Sequence, residues 1–96
     1  MNRSIPSDLP GADLILRGLD DLACGRQTVT CLLVLVGRPR LLRLGFSVPG
    51  LPLCESPQIE LFRALEREHG LRAYSQYNAL LRRLIRFERA FAALRD

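Results

Sequence analysis

Lysine and tryptophan are absent from this 96-residue chain, histidine occurs once, and cysteine occurs three times. Structural zinc needs four nitrogen or sulfur ligands, usually in closely spaced pairs. His69 stands alone, and Cys24, Cys31 and Cys54 show no C-x-x-C spacing. No metal site is therefore expected. An odd set of widely spaced cysteines suits free thiols in a reducing compartment, which points to the cytoplasm. Cys24 and Cys31 lie in apolar surroundings and read as small core residues. Cys24, two residues before Arg26, is the weak candidate for a reactive thiol.

Long hydrophobic runs are missing too. The longest, Cys31 to Val36, falls far short of the roughly 20 residues that span a bilayer. The start, Met1 to Pro6, has no apolar h-region behind it. A soluble cytoplasmic protein without a membrane partner is expected. No G-x-S-x-G, Walker A or G-x-G-x-x-G occurs, so neither an enzyme nor a cofactor is expected. His69 has Glu66 and Glu68 nearby, a pairing capable of acid–base work. A histidine in the last turn before Gly70 is more simply a favourable partner for the helix dipole. Asp20 and Asp21 are adjacent, and on a helix they point about 100° apart rather than converging.

What is present is leucine, twenty residues of it, with 48% hydrophobic and 25% charged residues overall. Leucine favours helix, and abundant strands bring more Val, Ile, Thr and Tyr than this chain has. All fourteen basic residues are arginine. The codon bias of a GC-rich bacterial genome accounts for that simply, although the arginine fork also suits phosphate and carboxylate.

Glycine and proline divide the chain. Residues 1–11, with Ser4, Pro6, Ser7, Asp8, Pro10 and Gly11, read as a disordered N-terminal arm. Leu14, Ile15, Leu19 and Leu22 define a helix over Ala12 to Cys24, stopped by Gly25. Gly18 inside it costs roughly 1 kcal/mol against alanine, which marks a close helix contact. Thr28 to Val36 has the β-branched content of a buried strand, but no second segment of similar quality could pair with it. With Thr28 as N-cap and Gly37 as its end, it reads as a helix. Pro39 to Leu44 reads as a short one. Residues 46–55, with Pro49, Gly50 and Pro52, form a linker that lies on the core. Ser56 and Pro57 open a further helix, with Ile59, Leu61, Phe62 and Leu65 on its apolar face, and Gly70 closes it. Ser75 reads as the N-cap of the last. The expected fold class is all-α: a small single-domain bundle over residues 12–96, with four main helices plus one short one. Its radius of gyration should be about 12–13 Å.

The clearest pattern is C-terminal. Tyr77, Leu80, Leu84, Phe87, Phe91 and Leu94 recur at alternating spacings of three and four, an a/d seam along one helix. Leu81 and Ile85 widen the apolar face beyond a two-stranded seam, which favours burial in a bundle. About 20 residues also span roughly 30 Å, enough for an antiparallel helix pair between two copies. Charge is unevenly shared: residues 1–27 carry −1, 28–45 carry +3, 46–70 carry −2 and 71–96 carry +4, which make up the net +4. Arg82, Arg83, Arg86 and Arg89, with Arg38, Arg40 and Arg43 as a second cluster, are candidate phosphate contacts. The competing expectation pairs the terminal arginines with Glu60, Glu66 and Glu68 across a helical hairpin. The leading functional expectation is a non-enzymatic protein–protein interaction module, with a protein partner or a second copy. Nucleic-acid binding through the arginine face comes second.

Overall fold

The structure, a computed structural model, describes residues 5, 6, 8–50 and 56–95, without the side chain of residue 95. Among the described residues five α-helices follow one another: α1 (Ala12–Ala23), α2 (Val29–Val36), α3 (Arg38–Arg43), α4 (Pro57–His69) and α5 (Ala73–Arg95). A single 3-10 turn, Gly70–Arg72, joins the last two. Among the described residues there is no strand. The all-α expectation of four main helices and one short one is met, with a radius of gyration of 12.9 Å.

The strand-like segment is the central helix. Thr30 through Leu35 are buried on every side of α2, which packs against α1, α4 and α5. A helix that is apolar all round needs such complete cover, and cover on all sides overrides its strand propensity. The Thr28 hydroxyl accepts from the Cys31 amide at 3.2 Å, an N-cap worth about 1 kcal/mol. The same hydroxyl donates to Asp21 at 2.5 Å, and Thr30 Oγ1 and Arg26 Nε donate to that carboxylate at 3.0 and 3.1 Å. Asp21 thereby ties the end of α1 to the start of α2. The Thr28 bond, helped by Thr30 and Arg26 against the opposing effect of burial, holds its carboxyl below the ordinary 3.8.

Gly18 sits where α1 crosses α2. A β-carbon there would collide with the Thr30 carbonyl oxygen and Val34 Cγ2, so the expected close contact is real. Gly25 ends α1 at φ 74°, as its position suggested.

After α3 the chain folds back on the core. Phe46 and Val48 are buried, and the Arg38 Nε donates to the Val48 carbonyl at 2.6 Å. Phe46 meets Phe91 at 4.7 Å and Phe87 at 6.1 Å between ring centroids. The linker expected on the core is there as far as Gly50; Leu51, Leu53 and Cys54 lie outside the described residues. So do 1–4 and 7 of the arm, while Ile5 and Leu9 lean on the core. Two local expectations shift. Ser56 stands at the N-cap of α4, but its side chain makes no capping bond. The last helix begins at Ala73 rather than after Ser75, because buried Ala73 continues directly from the 3-10 turn.

Candidate interaction face

The heptad seam divides on folding. Leu84, Phe87 and Phe91 are buried in the chain's own core, with Phe87 fully enclosed. Tyr77 and Leu80 are half-buried and pack against that core, while Leu94 is 59% exposed. A neighbouring stripe of α5 is only partly covered. Tyr77, Leu81, Ile85 and Ala92 recur near helical spacing, share one side of the helix, and are all half-buried. At 1.5 Å per residue they span about 22 Å.

Clefts flank this stripe. Near the start of α5, Ile59, Phe62, Arg63 and Glu66 of α4 and Tyr77 line an open depression of about 370 Å³, with Phe62 edge-on to Tyr77 at 5.8 Å. Further along, Val36, Gly37 and Pro39 face Leu81, Leu84 and Ile85 across about 270 Å³. That cleft runs on, through shared Arg40, Ile85 and Glu88, into one of about 310 Å³ edged by Arg43, Leu44, Arg89 and Ala92. A larger depression of about 490 Å³, between the α1–α2 turn and α4, contains Asp21. Its carboxylate is already engaged by three side chains, which assigns that place to holding the fold.

The seven candidate arginines separate into groups. Arg38 is bound to the Val48 carbonyl. Arg83 Nη2 pairs with Asp13 of α1 at 3.3 Å. Arg40, Arg43 and Arg89 converge on one cleft, and Arg82 and Arg86 continue the exposed row along α5. Among the described residues, neither Arg82, Arg86 nor Arg89 has an acidic partner within 4 Å. The expected pairing with Glu60, Glu66 and Glu68 is therefore absent. At 100° per residue, Arg82, Arg86 and Arg89 stand about 120–180° around α5 from Tyr77, the residue that meets α4.

Glu88 escaped the sequence reading. It is the lone acid of α5, it is 6% exposed, and it forms the floor shared by the two α3–α5 clefts. Arg40 Nη1 reaches Oε1 at 3.4 Å, while Oε2 is buried without a hydrogen-bond partner. Gly37 makes room for it: a β-carbon there would stand 2.9 Å from Leu84 Cδ1 and 3.3 Å from Glu88 Oε2. A helical wheel carries the missing signal, since Leu81, Leu84, Ile85 and Ala92 surround position 88.

Burial pushes the Glu88 carboxyl above its ordinary 4.5, and Arg40 pulls part of the way back. The folded state therefore holds this proton more tightly than the unfolded one. Its favourable contribution is complete below 4.5 and disappears as pH rises through the folded value. Glu88→Leu should accordingly stabilise the domain by about 1–2 kcal/mol at pH 7, with the gain shrinking towards pH 4.5. Urea unfolding of both proteins at the two pH values checks this; a gain that is equal at both, or a loss at pH 7, contradicts it.

The other candidates do not assemble into a reactive centre. His69 Nε2 lies 3.7 Å from Glu68 Oε2 on the surface of α4. Asp20 is exposed and Asp21 buried, both directed to Arg26. Cys24 is exposed and Cys31 buried. Among the described residues, no three His, Cys, Asp or Glu side chains gather closely enough to hold a metal ion. No helix among them is long and apolar enough to cross a membrane. Compared with known proteins, the chain matches no family model, no curated protein and no solved structure.

Proposed function

We propose that the protein is a non-enzymatic, cytoplasmic interaction module that receives a segment of a partner protein along the open side of α5. One observation carries this reading. The stripe Tyr77, Leu81, Ile85 and Ala92 stays half-buried between flanking clefts, although the seam beside it is filled by the chain's own core. An apolar stripe on one side of a helix is the surface on which an amphipathic segment lies down. Three cysteines without paired spacing suit a reducing compartment.

A second reading has its own observation. Arg40, Arg43 and Arg89 edge one cleft, and Arg82 and Arg86 extend the row, an arrangement that can follow a phosphate backbone. It ranks second because the floor between those arginines is apolar and contains a carboxylate. Photocross-linking from position 85 distinguishes the two, since a protein adduct supports the first reading and a nucleic-acid adduct the second.

A further inference from the structure

The corner between α2 and α3 closes over a carboxyl group. Gly37 ends one helix and opens the other. It stands so close to α5 that a β-carbon would lie 2.9 Å from Leu84 Cδ1 and 3.3 Å from Glu88 Oε2. Glu88 is 6% exposed, and among the described residues Oε2 has no hydrogen-bond partner. The charged groups around it are few. α3 brings Arg40 and Arg43, α5 adds Arg89, and α2 contributes only uncharged Val36 and Gly37. Arg40 pairs with Glu88 through Nη1 and Oε1 at 3.4 Å, and its side chain is 67% exposed, so water screens much of that attraction. Arg38, on the same short helix, is turned to the Val48 carbonyl. An ionised carboxylate held there keeps one oxygen without a donor, and a buried charge in that condition is costly. A neutral carboxyl group avoids most of the cost.

Ionisation is relieved when water reaches Oε2, and for that the corner has to lift from α5. α3 is the element able to move. It has six residues, Leu41 is its one buried side chain, and Gly45 at φ 97° follows its end. We propose that Glu88 and the α2–α3 corner form a proton-operated latch, in which protonated Glu88 lets the corner close on α5 and ionised Glu88 opens it. Arg40 travels with α3, so opening also breaks its ion pair. In the closed state burial raises the Glu88 carboxyl above its ordinary 4.5, against the pull of Arg40. Opening returns the carboxyl to water and to its ordinary value. Closure is therefore most favoured below 4.5 and weakens as pH rises through the closed-state value. The latch forms one wall of the α3–α5 clefts and acts whether or not a partner lies on α5.

Amide hydrogen exchange in the full chain, followed by NMR, tests the latch, with protection factors correcting for the intrinsic pH dependence of exchange. The Leu41, Leu44 and Phe46 amides, which donate to the Gly37, Arg40 and Leu41 carbonyls, report on α3. The amide of buried Leu19 reports on α1 and the core. The three α3 amides should exchange by a local opening, less protected than Leu19 and indifferent to low urea. Their protection should fall severalfold between pH 4.5 and neutrality. Glu88→Gln keeps the shape and removes the proton site, so the fall should vanish. Arg40→Gln removes the opposing pull and should enlarge it. Unchanging α3 protection in the parent, or a fall of equal size in Glu88→Gln, overturns the latch. So does α3 protection that matches Leu19 in size and urea dependence, since Glu88 would then act only on unfolding of the whole domain. The comparison within the parent chain decides even where a variant fails to fold.

Discussion

Phe87→Ala lowers the stability of the domain by about 3–5 kcal/mol, a large part of the roughly 5–15 kcal/mol that holds a domain folded. Phe87 is fully enclosed and forms a three-ring cluster with Phe46 at 6.1 Å and Phe91 at 5.9 Å, the latter two 4.7 Å from each other. It joins α5 to the chain that returns after α3, so truncation loosens two elements together. Close packing on several sides leaves the cavity little room to collapse, which is the circumstance that makes large-to-small changes costly. Urea unfolding followed by far-ultraviolet dichroism measures the effect. A loss below about 1 kcal/mol would mean that Phe87 lies outside the core.

Gly18→Val acts by the opposite means and costs about 3 kcal/mol, at the upper end of what overpacking usually does. The added β-carbon meets the Thr30 carbonyl oxygen, a backbone atom, as well as Val34 Cγ2. A side chain can turn aside, but the backbone of the buried central helix cannot. Helix propensity pulls the other way by up to about 1 kcal/mol, because glycine is a poor interior residue, so even Gly18→Ala should destabilise. Urea unfolding of both variants provides the check. An alanine variant more stable than the parent would show that α1 and α2 are not in contact at this point.

Much of this fold is legible in the order of residues. Gly25, Thr28, Gly37 and Pro57 stand where a helix stops or starts, because capping is local chemistry. The helix over 29–36 was recoverable by asking where a strand's hydrogen bonds would go, although its composition alone is ambiguous. Gly18 announced a close contact but not its partner, since only the crossing of α1 on α2 identifies Thr30. The arginines of α5 were harder. Their charges were visible, yet Arg83 finds Asp13, seventy residues away in the sequence, and not the nearby acids of α4. Glu88 is a single acid in a segment of net charge +4, so its place on the apolar side shows only around the helix. Its burial depends on the α2–α3 corner at Gly37 meeting α5, which no local spacing encodes. Leu81 and Ile85 are legible as a widening of the apolar face, but only packing leaves them, with Tyr77 and Ala92, half-buried beside the fully covered Leu84, Phe87 and Phe91.

The most direct test places a photocross-linking residue at position 85, in the middle of that stripe, and another at exposed Leu16 on α1. Irradiation in cells should yield one discrete adduct with a different protein from position 85 and none of that mass from position 16. The adduct should disappear when Leu81 is changed to Asp in the same chain. An adduct near twice the 10.8 kDa of the chain, an adduct with nucleic acid, or equal products from both positions would contradict the account.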